Sequence, residues 1–228
     1  MKFNYFIFLI SFSIIVSCSS STNTNEFIKK TEGRYLYTSD EVLEVYFENN
    51  ILQLKWRGAN NIKPLKVNAT TFFVKEMNEK LEFTQNNKNE TYITIVPKEN
   101  DTIVRKFRKL SINEKIPSEY LNNGNFEKAL AGYLAIKQTD SLNKIIDEHY
   151  FNKLGYNKLN NKEIEKALAI FKLNIELYPY SANTYDSYAD ALKRQGDTIQ
   201  ALIYYKKSLV IDSGNKRAKK FIEKYDQK

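Results

Sequence analysis

Two stretches of this chain repeat each other at a distance of 34 residues. Leu154-Gly155, Ala167, Phe171 and Pro179 are matched by Tyr188-Ala189, Ala201, Tyr205 and Ser213. Apolar positions recur at the helical period through both stretches, and a Gly196-Asp197 turn interrupts the second. Each unit therefore reads as a pair of short helices. One such pair cannot bury its apolar face alone. It must stack on its neighbours, and stacking leaves one face of the helices free to hold a partner.

Small residues at 155, 167, 189 and 201 let helices approach closely, and the bulky residues at 171 and 205 fill the groove between them. This arrangement resembles the tetratricopeptide repeats. That pattern asks for a Leu-Gly pair in the first helix, an aromatic with small residues in the second, and a closing Pro. The unit 148–181 supplies all of them in Leu154, Gly155, Ala167, Phe171 and Pro179. The unit 182–215 supplies Ala189, Gly196, Ala201, Tyr205 and Leu209, with Ser213 in place of the Pro. An earlier unit, about 110–147, is degenerate. Pro117 opens its short first helix, and Gly124, Ala129 and Tyr133 mark its second. Residues 216–226 read as a capping helix.

The resemblance implies a partner-binding groove lined by the first helix of each pair. Carried onto this chain, the groove positions are His149, Asn152, Tyr156 and Leu159, then Asn183, Asp186, Asp190 and Lys193. Tyr156 among Asn and Asp side chains suits an extended or helical peptide, held by amide contacts and one aromatic anchor. A surface that merely faces water or another part of the chain is the plain alternative. Asp186 and Asp190 would repel a peptide's C-terminal carboxylate.

Residues 31–110 have a different period. Leu43, Val45 and Phe47 alternate with polar positions. Leu52, Leu54 and Trp56 do the same beyond Asn49-Asn50, a two-residue turn. Further runs at Gly33–Tyr37, 63–67, 70–74, 80–84, 91–96 and 102–107 bring the expectation to eight short strands. They suggest a small antiparallel β-barrel or a curled β-meander. Aromatics at Trp56, Phe72, Phe73 and Phe83 would fill its core or, as a weaker reading, surround a small ligand. The fold class is thus α+β in two domains: β at 31–110, then a helical repeat solenoid with a capping helix at 111–228.

The N-terminus indicates a location. Lys2 precedes an apolar stretch from Phe6 to Val16, which ends Ile15-Val16-Ser17-Cys18. The stretch fits a signal-peptide core and is short for a membrane span. Its end resembles the bacterial lipobox. That resemblance implies removal of residues 1–17 and acylation of Cys18, giving a lipid-anchored, periplasm-facing protein of the cell envelope. An ordinary signal peptide is the alternative. Residues 18–30 read as a polar tether. Cys18 is the only cysteine, so no disulfide can form within the chain.

The formal charge is +8 and is spread thinly. The one dense cluster is Lys216, Arg217, Lys219 and Lys220, with Lys224 and Lys228. It could meet anionic headgroups or an acidic partner, or be a solvated helix face. Nucleic acid is not expected as a partner of an exported lipoprotein.

Residues 31–222 also resemble, more loosely over the β segment, the C-terminal region of Bacteroidetes serine hydrolases of the β-lactamase and penicillin-binding-protein type. In those proteins a catalytic domain precedes a small β domain and repeats. Here the catalytic domain is missing. Ser141-Leu142-Asn143-Lys144 and Ser213-Gly214-Asn215-Lys216 match its Ser-x-x-Lys motif, as expected by chance in a Lys-rich chain. Tyr150-Phe151-Asn152 falls within a repeat helix, and there is no room for the α/β region that such sites need. His149 is the sole histidine and no Cys-His or His-His pair is available, so we expect neither a zinc site nor a Ser-His triad within one chain. We therefore expect no enzyme activity and no cofactor. The expectation is a scaffold that binds a protein or peptide segment. The alternative is an accessory region partnering a separately encoded hydrolase chain.

Overall fold

The computed structural model describes residues 21–99, 104–140 and 146–226. Residues 1–17, the expected lipid site Cys18, the Ser141–Lys144 match and the first two residues of the expected strand at 102–107 lie outside them. The chain divides into two compact units. Of the described residues, 21–36 belong with those of 42–110, and Tyr37–Glu41 belongs with those of 111–226.

The first unit begins with a helix where a tether is expected. α1 (Asn25–Thr31) is capped by the Thr24 side chain, which accepts from the Phe27 N–H at 3.2 Å. A short polar segment folds here because Phe27 has an aromatic seat. Its ring lies 5.4 Å from Phe83, 5.7 Å from Phe72 and 6.1 Å from Phe47. The expected tether is therefore corrected: Asn23 already hydrogen-bonds the Asn50 carbonyl through both its backbone and side-chain nitrogens.

Among the described residues, nine strands follow. β1 (Gly33–Thr38), β2 (Glu41–Glu48), β3 (Ile51–Trp56) and β4 (Ala59–Ile62) form one antiparallel sheet in chain order. β5 (Leu65–Lys66), β6 (Thr71–Val74), β7 (Glu79–Gln85), β8 (Thr91–Ile95) and β9 (Lys106–Arg108) form a second. The β2–β3 turn is the expected one, with Asn49 and Asn50 at φ 50° and 62°. It sets a register that pairs Val45 with Leu54 and Phe47 with Leu52.

The two sheets do not close into a barrel. Pro64, which has no N–H to donate, separates β4 from β5. At the other end Tyr35 and Lys109 make only an isolated bridge. The strands are thus two consecutive meanders around one core of Tyr35, Leu43, Val45, Leu54, Val74, Leu81 and Ile93. Phe72 and Phe83 are buried in that core, which is the packing role for these aromatics. Half-buried Trp56 instead carries the Arg57 guanidinium 4.5 Å above its ring.

The second unit consists of three antiparallel helix pairs and a closing helix, consistent with a tetratricopeptide-like solenoid. The pairs are α2 (Pro117–Asn122) with α3 (Phe126–Thr139), α4 (Glu148–Asn160) with α5 (Ile164–Leu177), and α6 (Ala182–Gln195) with α7 (Thr198–Ile211). α8 (Lys216–Asp226) closes the row. Pro117 opens α2 as expected.

Each pair turns in the same way. Asn125 donates to the Tyr120 carbonyl at 2.8 Å, Glu163 to Lys158 at 2.9 Å, and Asp197 to Leu192 at 3.0 Å. These six-to-one bonds close a Schellman motif, and the residue before each donor is left-handed: Gly124 (φ 75°), Lys162 (φ 64°) and Gly196 (φ 101°). The second helices bury equivalent pairs, Ala129 with Tyr133, Ala167 with Phe171 and Ala201 with Tyr205. The repeat is therefore present in backbone geometry even where the first unit has lost its sequence match. Within this unit the 37–41 segment is fixed by Asp40, whose carboxylate accepts from the Ser118 N–H at 2.7 Å.

Candidate functional site

The predicted groove residues lie on α4 and α6, and the structure sorts them into three settings. His149 is exposed near the start of α4, where the Asp147 side chain accepts from its backbone N–H at 3.1 Å. Asn152 is half-buried one turn later on the same helix. Leu159 is buried in the core that joins α4 to α5 and α6, so it is a packing residue.

Asn183 belongs to a polar clasp between consecutive pairs. Its side-chain nitrogen donates to Glu148 Oε1 at 2.9 Å, and Ser181 Oγ donates to the same oxygen at 2.9 Å. Buried Asn174 completes the clasp by donating to the Glu148 carbonyl at 3.1 Å. Ser208 repeats that last role 34 positions on, donating to the Ala182 carbonyl at 3.0 Å. Asn174 and Ser208 replace the small apolar residue the repeat pattern expects. Each does so to satisfy a helix-start carbonyl of its own pair.

Tyr156, Asp186, Asp190 and Lys193 are brought together by a residue the groove prediction did not include. Arg217, on α8, donates to Tyr156 Oη at 3.0 Å, pairs closely with Asp186 Oδ2 and lies 3.7 Å from Asp190 Oδ2. Asp190 also meets Lys193 at 2.9 Å and Arg194 at 3.2 Å. Both carboxylates are buried. Burial pushes the Asp190 carboxyl up, but the Lys193 hydrogen bond and the Lys193, Arg217 and Arg194 charges outweigh it and hold it below the usual carboxylate range.

The spacing of Asp186 and Asp190 was visible in the sequence as two acids on one helix face. What it did not show is that α8 folds over that face and neutralises it. The stretch of groove at α6 is thus not an open acidic surface. The exposed members of the predicted set are His149, Asn183 and Lys193, with Asn152 and Tyr156 half-exposed along α4. The tyrosine ring packs edge-on against Phe171, centroids 5.1 Å apart, which fixes its orientation.

Among the described residues, no group of His, Cys, Asp and Glu is placed to hold a metal ion. Tyr150 and Asn152, from the chance motif match, lie on the repeat helix α4.

Comparison with known proteins gives no family assignment. No family model matches the chain, and no curated protein matches it. Among solved structures, the first tetratricopeptide domain of Spaghetti (RPAP3), bound to an HSP90 peptide, is 16% identical over 49% of this chain and 85% of that one, with a TM-score of 0.34. The second tetratricopeptide domain of human RPAP3, in complex with an HSP70 peptide, is 18% identical over 49% and 90%, with a TM-score of 0.34. The Sgt2 tetratricopeptide domain from Aspergillus fumigatus is 15% identical over 49% and 72%, also at 0.34. The solenoid assignment rests on the hairpin turns and packing pairs of the chain itself.

Proposed function

We propose that this chain is a noncatalytic, lipid-anchored scaffold of the bacterial envelope that holds a protein or peptide partner on its helical repeats. The observation that carries the binding role is the stack of three helix pairs with the same turn and the same small-on-aromatic packing. This construction repeats a surface from pair to pair. The partner face we assign is α4, on which His149 is exposed and Asn152 and Tyr156 are half-exposed. Anchoring rests on the sequence alone, on Ile15-Val16-Ser17-Cys18 after an apolar stretch.

Co-purification from detergent-solubilised membranes tests the role. A defined partner should be retained by the wild-type chain and lost on Tyr156→Ala. Recovery of the same proteins with and without Tyr156 would count against the assigned face. Metabolic labelling with a fatty acid tests the anchor: label should appear on the wild-type chain and be absent from Cys18→Ser. The resemblance of residues 31–222 to the trailing region of serine hydrolases supports a second reading, in which the partner is a separately encoded catalytic chain. A hydrolase recovered in the same co-purification would favour it.

A further inference from the structure

The first unit holds a cavity of about 300 Å³ between α1, the turn 67–70 and the junction of β7 with β8. Its position follows from strand alternation. Phe83 and Gln85 stand two apart in β7 and share one face of the sheet. Thr91 is paired directly with Gln85 and so joins them on that face. The short helix α1 packs there through Phe27, whose ring meets Phe83. The polar end of the face, Gln85 and Thr91, then lines the gap beside the helix, with Thr24 and Thr31 at the two ends of α1.

Hydroxyl and amide side chains dominate the wall. Thr24, Thr31, Thr70, Thr84 and Thr91 each carry a group that both donates and accepts. Phe27, Phe83 and Ala69 supply apolar surface. The charged groups are mostly engaged: Lys30 pairs with Glu26 at 2.8 Å, and Lys66 donates to the Thr22 carbonyl. Two amides are not fully used. Asn23 lines the cavity and is buried; its side-chain nitrogen donates to the Asn50 carbonyl at 3.0 Å, but its oxygen has no hydrogen-bond partner among the described residues. A buried acceptor left unmade destabilises a fold, so it marks a place where a donor is wanted. The Gln85 amide nitrogen makes only long contacts, 3.4 Å to the Asn89 carbonyl and 3.5 Å to Thr91 Oγ1.

We propose that this cavity binds a neutral sugar of one or two rings. A sugar hydroxyl donates and accepts at once, and threonine hydroxyls and primary amides complement it in either sense. The C–H faces of the ring need apolar surface, which Phe27 and Phe83 provide. An anion would want several unpaired cations, and among the lining residues only Lys66 lacks a paired acid. Small-molecule sites begin at about 300 Å³, so the space suits a small ligand and not a folded element. The site lies wholly within the first unit. It goes beyond the scaffold reading and does not depend on it.

The test uses the full chain in a detergent without a sugar headgroup. Glucose, galactose, mannose and N-acetylglucosamine are offered one at a time and followed by saturation-transfer NMR. At least one should take up saturation at its ring protons and titrate in the millimolar range, because each hydrogen bond gained replaces one to water. Ala69 is exposed on the cavity wall, so Ala69→Trp should fill the space and abolish binding while the fold survives, which circular dichroism checks. Thr70→Val with Gln85→Ala should weaken binding about threefold to tenfold. That pair keeps the 68–71 turn, which Asn68 Oδ1 holds through the Thr70 and Thr71 N–H groups. Binding of none of the four sugars overturns the proposal. So does sugar binding that neither variant changes, which places it elsewhere. Inorganic phosphate that binds and is lost on Lys66→Met, with no sugar bound, would make this an anion site. The partner recovered by co-purification should be retained by Ala69→Trp, so failure of the sugar site leaves the scaffold reading standing. Loss of that partner together with the sugar would make the cavity part of the partner site and overturn it as a sugar site.

Discussion

Gly155 on α4 lies against the ring of Phe171 on α5 so closely that a β-carbon at position 155 would sit 2.5 Å from Phe171 Cε1. Two more ring atoms would be within 2.8 Å. Alanine is the better helix former by about 0.5–1 kcal/mol, so propensity alone favours Gly155→Ala. The ring cannot yield, because Phe171 is fully buried and Tyr156 packs on it at 5.1 Å. Overpacking should win, and Gly155→Ala should destabilise the helical unit by about 1–3 kcal/mol in urea unfolding. Adding Phe171→Leu should recover part of that loss, and a double-mutant cycle reads the coupling.

Lys162 should respond in the opposite direction. It holds the left-handed position that Gly124 and Gly196 hold in the other two hairpins. A side chain there costs about 1–2 kcal/mol. Glycine removes that strain but gains freedom in the unfolded chain worth about 0.4–1 kcal/mol. Lys162→Gly should therefore stabilise the protein by about 0.5 kcal/mol, seen as a higher denaturation midpoint at unchanged slope. A lower midpoint would mean that the lysine side chain stabilises the turn in some other way.

The Asp190 carboxyl predicts a pH signature. Its folded pKa is lowered, because the Lys193, Arg217 and Arg194 interactions outweigh burial. A lowered carboxyl pKa contributes stability that is present above the unfolded value, about 3.9, and is lost as pH falls through the folded value. Asp190→Asn should thus be less stable than wild type near neutral pH, and the gap should shrink below about pH 4. Denaturant midpoints at several pH values check this. A gap that stayed constant into acid would assign the effect to packing.

Arg217→Met removes the cation that Asp186 and Asp190 share. Fully buried pairs lose about 3–5 kcal/mol on such a change. Arg217 is itself partly exposed, with 41% of its side chain accessible, so the expected loss is about 2 kcal/mol. Asp186→Asn in the same background should restore part of it.

Phe27 ties α1 to the sheets of the first unit. Truncating this half-buried ring to Ala should cost about 2–3 kcal/mol. Hydrogen exchange should localise the effect, with amides of β6 and β7 losing protection, since these strands carry Phe72 and Phe83.

The sequence carried the helical unit further than the β unit. The small-on-large spacing of Gly155, Ala167 and Phe171 is a local, periodic signal, and the structure places those residues in mutual contact. The degenerate first pair kept its turn, because a six-to-one bond with a left-handed residue needs little beyond Gly124. α1 was hidden by composition: in Asn-Glu-Phe-Ile-Lys-Lys only Phe27 and Ile28 are apolar, and the reason for folding is a distant set of rings. β4 escaped notice because Ala59, Asn60 and Asn61 are exposed and only Ile62 is buried. The division into two sheets depends on which strands pair, and alternation alone does not encode pairing. At the candidate site, the spacing of Asp186 and Asp190 could be read directly. Their partner Arg217 lies 31 residues beyond Asp186, on a helix whose basic residues looked like a solvated cluster.

The early start of the folded unit sets a leash length. Among the described residues, backbone-to-backbone hydrogen bonding begins at Asn23, which is held to the Asn50 carbonyl. A lipid on Cys18 would leave five residue steps to that point, at most about 18 Å of fully extended chain. A tether reaching to residue 30 would have more than doubled that span. With acylation, the first unit would work within a short radius of the bilayer surface. It could not sweep for distant targets, so a partner would have to come to the membrane.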